Sequence, residues 1–176
     1  MKIGIFGGSF NPIHNGHLHL AKGIMQSGLI DELWFMVSPH NPLKQQADLM
    51  PDNERYKAVC RAVSNMPHVK ASDFEFHLAK PSYTYITLRK LCQTYPNDEF
   101  VIIIGADNWA CFDKWKEYEE ILSNYKIIIY PREGYEIDTK TLPLSVTYLN
   151  LPLYNISSTQ IRHMIKRGQD ISKYIP

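Results

Sequence analysis

The chain has 176 residues, of which 44% are apolar and 21% are charged, and its formal net charge is +1. This length and composition are typical of one globular domain with a substantial core. The nearly balanced charge argues against a nucleic-acid-binding protein, which would need a basic surface. The three cysteines have no Cys-x-x-Cys spacing, which disfavours a disulfide framework and a zinc ribbon.

No targeting or membrane segment is predicted. The apolar run at the N-terminus breaks at Gly7-Gly8, too early for a signal peptide. No other apolar stretch approaches the length needed to cross a bilayer. These features predict a cytoplasmic protein with no membrane partner, and they leave a homo-oligomer open.

Short apolar runs and helical patterns alternate along the whole chain. The predicted strands are residues 2–6, 32–37, 69–72, 100–104, 126–130 and 145–149. The predicted helices are residues 16–27, 52–64, 82–94 and 158–167, with Asp52 and Ser82 as caps and Ile86, Leu88 and Leu91 in the core. Continuous apolar strands separated by helices predict an α/β fold: a doubly wound, mostly parallel sheet with helices on both faces, in a single domain over residues 1–176. In such a sheet, ligands bind beyond the carboxyl ends of the strands.

The loop after the first strand, residues 7–17, combines glycines with two histidines. Gly7 and Gly8 let backbone N–H groups approach a phosphate without a Cβ in the way. His14 and His17 stand three apart at a predicted helix start, where imidazoles can contact polyphosphate oxygens. The segment is neither Gly-x-Gly-x-x-Gly nor a Walker loop, which disfavours a dinucleotide-binding oxidoreductase and a P-loop NTPase. The alternatives are a glycine turn with a histidine cap and a zinc site, although no third zinc ligand is nearby.

A second candidate anion site precedes the last predicted helix. Ser157 and Gln160 form a Ser-x-x-Gln capping box. Ser158 and Arg162 add a hydroxyl and a guanidinium to the free N–H groups of the helix start. Taken alone, the segment is explained equally well by capping and by anion binding.

Together the two segments resemble the nucleotidylyltransferase superfamily. Gly8-x-Phe10-x-Pro12-x-His14-x-Gly16-His17 matches its signature, and residues 156–162 (ISSTQIR) are similar to its Ile-Ser-Ser/Thr-x-x-Ile-Arg motif. The resemblance implies a Rossmann-like fold in which both segments bind ATP. The residues implied to contact ATP are Gly8, Ser9, Phe10, Gly16, Ile156, Ser157 and Ser158. Those expected to position the phosphates and stabilise charge on them are His14, His17, Lys44, Ser158 and Arg162.

A third segment indicates one family within this superfamily. Residues 82–88 (SYTYITL) resemble the Ser-Tyr-Thr-x-x-Thr-Leu segment of bacterial nicotinate-nucleotide adenylyltransferases. In that family, N–H groups at this helix start hold the nicotinate carboxylate, and an anion is favoured at a helix N-terminus. The resemblance implies that Tyr83, Thr84 and Tyr85 bind the acceptor, and it gives a reason for preferring the acid to the amide.

The segment after residues 100–104 carries further implied contacts. By the same resemblance, Gly105 and Asp107 contact ATP, with Asp107 on a ribose, and Trp109 stacks on the pyridine ring. A turn followed by a core tryptophan is the alternative. Phe112 and Trp115 are predicted to pack against the helix that follows.

Polar and cationic side chains in other loops are weaker evidence for a binding site. The resemblance places Asn41 and Lys44 near the substrate phosphate, although Lys44 read alone is a solvated lysine. For Arg55, a helix-surface pair with Glu54 or Asp52 is as good an explanation as a position near the substrate phosphate. Arg132 is expected on the adenine or ribose side, although a turn arginine needs no ligand.

The implied reaction transfers AMP from ATP to nicotinate mononucleotide and releases pyrophosphate. Positioning and charge stabilisation are needed rather than a strong base, because the attacking phosphate oxygen is already anionic. Mg²⁺ is expected on the ATP oxygens and water rather than on protein side chains. Two alternatives stay open: another adenylyltransferase of the superfamily, acting on pantetheine phosphate or nicotinamide mononucleotide, and a non-catalytic nucleotide-binding module.

Overall fold

Parallel strands form a central sheet in the computed structural model, which describes residues 1–41 and 47–176. The strands are β1 (Lys2–Gly8), β2 (Glu32–Val37), β3 (Val69–Ser72), β4 (Glu99–Gly105), β5 (Lys126–Tyr130) and β6 (Val146–Tyr148). Their spatial order is β3-β2-β1-β4-β5-β6, and every pair is parallel. This is a doubly wound Rossmann-like order, which reverses direction between β1 and β4, where ligands bind in such sheets.

Helices cover both faces of the sheet. They are α1 (Asn15–Gln26), α2 (Asp52–Val63), α3 (Thr84–Thr94), α4 (Ala106–Ala110), α5 (Tyr118–Asn124) and α6 (Ser158–Lys166). Side chains that alternate along the strands form two apolar clusters, as Ile102 and Ile103 of β4 illustrate. The Ile103 cluster packs against α1 and α2, and the Ile102 cluster packs against α3 and α5. The predicted α/β fold class is confirmed.

The predicted bounds lie within two residues of the observed ones, and the differences have local causes. The strand predicted to end at residue 6 continues to Gly8, because Gly7 and Gly8 still pair with Met36 and Val37 of β2. The short helices α4 and α5 have 5 and 7 residues, too few for a clear helical period in the sequence.

Two of the three predicted helix caps, Asp52 and Ser82, are wrong, whereas the predicted Ser157–Gln160 capping box is confirmed at the start of α6. The backbone is still extended at Tyr83 (φ −109°, ψ 135°), so Ser82 lies one residue too early to cap α3. Pro51 occupies the N-cap position of α2, and Asp52 is the first helical residue. The Asp52 carboxylate accepts a hydrogen bond from the backbone N–H of His40 instead.

The core face of α3 is turned slightly from the predicted one. Leu88 and Leu91 are fully buried, as predicted. Ile86 is only half-buried, whereas Thr87 is buried because its hydroxyl is hydrogen-bonded to the buried Glu75. Among the described residues, no helix is long and apolar enough to span a bilayer.

Candidate active site

A cleft of about 600 Å³ lies at the carboxyl ends of β1, β4 and β5. This is the edge of the sheet at which the sequence predicted the chemistry. The lining includes residues after each of these strands and residues at the start of α6: His14, Gly16, His17, Asp107, Arg132, Ile156, Ser157 and Gln160.

The two candidate phosphate-binding segments are hydrogen-bonded to each other. Ser158 Oγ donates to the carbonyl oxygen of Pro12 over 2.9 Å, across 146 positions of sequence. A terminal N–H of Arg162 donates to the carbonyl oxygen of Asn11 over 2.8 Å, and the other terminal nitrogen lies 3.1 Å from Thr159 Oγ1. The fold therefore brings the histidine loop and the start of α6 to one wall of the cleft.

The two histidine rings are stacked, with their centroids 3.7 Å apart. His17 Nδ1 accepts a hydrogen bond from the backbone N–H of His14 over 3.2 Å. The neutral ring of His17 therefore carries its proton on Nε2, which makes that atom a donor. His14 Nδ1 is buried and has no hydrogen-bond partner among the described residues.

Burial keeps both imidazoles neutral in the unliganded protein. It lowers the pKa of His14 to about 4, and the nearby Arg132 guanidinium adds to the decrease. Burial, His14 and Arg132 together hold the pKa of His17 well below its ordinary value. Near neutral pH the rings can therefore serve as hydrogen-bond donors, and an arriving polyanion would raise the pKa of each.

Glycine is required at two places by close approach of other side chains. A Cβ on Gly16 would lie 2.8 Å from His14 Cε1 and 2.9 Å from Tyr154 Cδ1. A Cβ on Gly105 would lie 2.9 Å from Arg132 Cγ. Both glycines were predicted to bind nucleotide, and both leave space for the side chains that line the cleft.

Asp107 and Arg132 form an ion pair on the cleft wall. Arg132 Nε lies 3.5 Å from Asp107 Oδ1, without the alignment of a hydrogen bond, so that oxygen has no hydrogen-bond partner among the described residues. Asp107 follows β4 directly, as the sequence predicted, and Arg132 follows β5. Their positions agree with contacts to a ribose or a base, which remain predictions.

A smaller cavity of about 210 Å³ adjoins the cleft, since Tyr130 lines both. Its floor is the apolar surface of the central strands. Its polar lining comes from Ser38, Glu75, Thr84, Thr87 and Asn108, with Trp115 beside them. A cavity lined by one indole ring, apolar strand residues and a few polar groups suits a flat aromatic ligand.

The predicted acceptor residues are only partly gathered at this cavity. Thr84 lines it. Tyr83 and Tyr85 are absent from its lining: Lys116 Nζ lies 4.7 Å from the Tyr83 ring centroid, and the Arg89 guanidinium lies 5.0 Å from that of Tyr85. The backbone at this helix start, rather than the tyrosine rings, remains available to a ligand.

Trp115, and not Trp109, reaches the cavity. The Trp109 ring stacks on Phe112 with centroids 5.3 Å apart, and it lines neither the cleft nor the smaller cavity. Trp115 also contacts Phe112, at 5.1 Å, but it lies on the cavity wall. Trp115 therefore packs against its neighbours and also lines the cavity, whereas only packing was predicted.

Arg55 is buried, with 0% of its surface exposed, so its interpretation as a helix-surface residue is wrong. Its guanidinium donates to the carbonyl oxygens of Ser9, Ser38 and Met50 over 2.7, 2.8 and 2.9 Å. It also pairs with Asp52 Oδ1 at 2.5 Å, which confirms one of the two proposed partners. Arg55 thus holds together the loops that follow β1 and β2.

The remaining predicted residues have varied surroundings. Gly8 lines the smaller cavity, and the Ser9 carbonyl is bound by Arg55. Phe10 is buried in the core, with its ring 5.0 Å from that of His17. Asn41 is half-buried at the end of the described segment 1–41, and Lys44 lies outside the described residues.

Sequence reasoning missed Glu75, Asn108 and Trp115. Glu75 carries a signal that could have been used, because it stands between Phe74 and Phe76. An acidic residue between two aromatic residues is either exposed by the local turn or buried for a reason. Asn108 and Trp115 carry no comparable signal, because polar and aromatic residues are common after a strand.

Known proteins share both the sequence and the fold of this chain. Residues 5–164 match the cytidylyltransferase-like family. A Bacteroides fragilis protein described as “Probable nicotinate-nucleotide adenylyltransferase” is 51% identical over 174 residues, which cover 99% of this chain and 87% of that protein. A Bacteroides thetaiotaomicron protein of the same description is 46% identical, with the same shares covered.

A solved structure from Plasmodium falciparum extends the similarity to the fold. It is a nicotinic acid mononucleotide adenylyltransferase complexed with NaAD, and it superimposes with a TM-score of 0.84 at 26% identity. The superposition covers 99% of this chain and 90% of that one. By sequence and by fold, the chain belongs to the nicotinate-nucleotide adenylyltransferase family, within the cytidylyltransferase-like proteins.

Proposed function

We propose that this chain transfers AMP from ATP to the phosphate of nicotinate mononucleotide, giving nicotinate adenine dinucleotide and pyrophosphate in NAD biosynthesis. One observation carries the proposal: the histidine loop and the start of α6 share a wall of the cleft, joined by Arg162 to Asn11 and by Ser158 to Pro12. Relatives of this family supply the identity of the acceptor. The nucleotide-binding cleft and the aromatic-walled cavity beside it match a triphosphate and a pyridine ring.

The reaction joins two anions, so the enzyme must position them and stabilise charge. A phosphate oxygen of the mononucleotide attacks the α-phosphorus of ATP in line, and the bond to the leaving pyrophosphate breaks. No proton has to be removed from the attacking oxygen. His17 Nε2–H and the guanidinium of Arg162 donate to phosphate oxygens as charge moves onto pyrophosphate.

Backbone groups add to these donors. The first N–H groups of α6 have no partner within the helix, and they carry the partial positive charge of the helix start. Ser157 Oγ accepts from the backbone N–H of Gln160, which fixes the orientation of that first turn. Ser158 Oγ is engaged with Pro12, so Ser158 contributes its backbone N–H to ATP rather than its hydroxyl.

Mg²⁺ is proposed to enter the cleft as an ion carried by ATP. Among the described residues, no group of three His, Cys, Asp or Glu side chains is arranged to hold a metal. Asp107 supplies a carboxylate oxygen without a hydrogen-bond partner, which could accept from water bound to the ion. The ion would reduce repulsion between the two substrates, and phosphate oxygens and water would be its ligands.

The enzyme is proposed to act in the cytoplasm on two small molecules. ATP and the mononucleotide are its small-molecule partners, in the cleft and in the smaller cavity respectively. The three cysteines are free, which agrees with the reducing conditions of the cytoplasm. No nucleic acid or membrane partner is proposed.

The test is pyrophosphate release with a panel of acceptors. The protein is incubated with ATP, Mg²⁺ and nicotinate mononucleotide, nicotinamide mononucleotide or phosphopantetheine, and the dinucleotide product is identified by mass spectrometry. We expect release with nicotinate mononucleotide and the deamido dinucleotide as product. Release only with phosphopantetheine would refute the proposed acceptor, and ATP binding without release would indicate a nucleotide-binding module.

A further inference from the structure

Glu75 is a buried carboxyl group on the wall of the smaller cavity. It lies in a 3-10 turn, Phe74–His77, and only 7% of its surface is exposed. Thr84 and Thr87 of α3 line the same cavity. Its position is notable because the proposed function puts an acidic ligand in this cavity, and an ionised Glu75 would repel such a ligand.

The hydrogen bonding of Glu75 is half complete. Glu75 Oε1 lies 2.8 Å from the Thr87 hydroxyl, which is also 3.3 Å from the carbonyl oxygen of Tyr83. Glu75 Oε2 is buried and has no hydrogen-bond partner among the described residues. The Ser38 hydroxyl also lines the cavity, and it lies close enough to the carboxyl group to lower its pKa. One oxygen of a buried carboxyl is therefore available to whatever occupies the cavity.

The surroundings favour the neutral form of the side chain. Apart from Tyr130, Glu75 is the only titratable group among the described residues that line the cavity, so no cation there compensates a negative charge. Burial raises the pKa of Glu75, and the Thr87 and Ser38 hydroxyls offset this only partly. A neutral carboxyl with Oε1 accepting from Thr87 carries its proton on Oε2, the oxygen without a partner.

A donor on this wall would distinguish an acid from its amide. An O–H group donates a stronger hydrogen bond to a carboxylate than to a neutral carbonyl. An amide can offer only its carbonyl oxygen to that donor, and its NH₂ group gains nothing from it. An ionised Glu75 would therefore repel the carboxylate of the ligand, whereas a protonated Glu75 would bind it.

We propose that Glu75 is a specificity-determining residue of the acceptor cavity, whose carboxyl group is protonated beside the carboxylate of the ligand, donates a hydrogen bond to it and so favours the acid over the amide. This inference rests on the proposed function, which places the pyridine carboxylate in the smaller cavity. It adds a side-chain donor to the backbone donors at the start of α3.

The test compares Glu75→Gln, Glu75→Met and Thr87→Val. The constants kcat and KM are measured with nicotinate and nicotinamide mononucleotide, and binding of both is followed by calorimetry. Glu75→Met should raise the KM for the acid about tenfold to a hundredfold, since a charge-assisted hydrogen bond is lost, with kcat and the constants for the amide and ATP within about threefold. Glu75→Gln keeps a neutral donor and should restore most of the affinity for the acid.

Thr87→Val separates the carboxyl group from its contact with α3. It removes the hydrogen bond between Thr87 and Glu75 but leaves the carboxyl group in the cavity. Because Thr87 also lines the cavity, the KM for both mononucleotides should rise, but the acid should still be preferred. The inference is overturned if Glu75→Met weakens acid, amide and ATP equally, or if Thr87→Val reproduces its effect, because Glu75 would then only hold α3 in place. Improved use of the acid by Glu75→Gln would overturn it too, because that result means repulsion by an ionised side chain.

Failure of the proposed function is seen separately. It would appear in the unmodified protein, as turnover of neither mononucleotide, before any variant is compared. Glu75→Gln is nearly isosteric with the natural residue and should fold even if Glu75→Met does not. It alone still distinguishes a donor, which keeps the preference for the acid, from a repelling charge, whose removal would improve use of the acid.

Discussion

At the scale of single residues, the site depends on imidazoles kept neutral and oriented. The backbone N–H of His14 donates to His17 Nδ1 and fixes the ring, so the Nε2–H group of His17 points in one direction. Gly16 leaves room for the His14 and Tyr154 side chains, both of which approach it closely at the start of α1. The sequence motif therefore encodes a donor and the space that the donor needs.

Replacing His17 with alanine should reduce kcat about a hundredfold, because one donor to the transition state is lost. The fold should survive, since the change removes one hydrogen bond and the ring contacts of a half-buried side chain at the edge of the core. His77→Ala is the control, because His77 is exposed and pairs with Asp73. Steady-state kinetics decide the matter, and a rate for His17→Ala close to that of the control would remove His17 from the mechanism.

The depressed pKa of His14 predicts a loss of stability in acid. The folded-state pKa is about 4, against an ordinary value of 6.5. Between these values the unfolded chain binds a proton that the folded chain does not, so stability falls as the pH drops from about 6.5 towards 4. The Tm measured without nucleotide should therefore decrease from pH 7.5 to pH 5, and less so in His14→Gln. An equal decrease in both proteins would contradict the assignment.

At the scale of elements, buried and half-buried arginines connect the loops that form the site. Arg55 on α2 binds the carbonyl oxygens of Ser9, Ser38 and Met50, and Arg162 on α6 binds that of Asn11. A guanidinium suits this task because its N–H groups point in several fixed directions. The loops are thus held by helices that pack elsewhere.

Replacing Arg55 with methionine should lower the free energy of unfolding by about 3–5 kcal/mol, because three carbonyl oxygens and Asp52 lose their buried partner. Arg61→Met, at an exposed position of the same helix, should change it by less than about 0.5 kcal/mol. Urea unfolding measures both. Similar values for the two variants would mean that the buried network contributes little.

Replacing Arg162 with lysine should reduce kcat/KM for ATP about tenfold or more. A single ammonium cannot hold the Asn11 carbonyl and reach a phosphate at the same time. Arg167→Lys, one position beyond α6, serves as the control because Arg167 is exposed. If steady-state kinetics show unchanged values for Arg162→Lys, charge alone is sufficient at this position.

At the scale of the whole molecule, the features encoded locally were the ones that could be predicted. Strands such as residues 100–104 are continuous apolar runs, so their burial in a parallel sheet follows from the sequence. The histidine loop and the Ser157 capping box are short segments whose sequence patterns could be recognised locally, although contacts with other elements also hold them in place. The convergence of the two segments then follows from the position of ligands at the carboxyl ends of parallel strands.

Features that depend on distant contacts could not be predicted. Arg55 has the sequence surroundings of a surface residue, and it is buried because the loops after β1 and β2 fold over α2. Trp109 and Trp115 have similar local sequences, and the turn between α4 and α5 decides which of them faces the cavity. Glu75 meets Thr87 only because α3 packs beside the 3-10 turn.

The most direct measurement is a crystal structure of the protein with Mg²⁺ and a non-hydrolysable ATP analogue. The triphosphate should lie between the two loop segments, within hydrogen-bonding distance of His17 Nε2, Arg162 and the first N–H groups of α6. A triphosphate bound at any other place, with those groups left in contact only with solvent, would contradict the account.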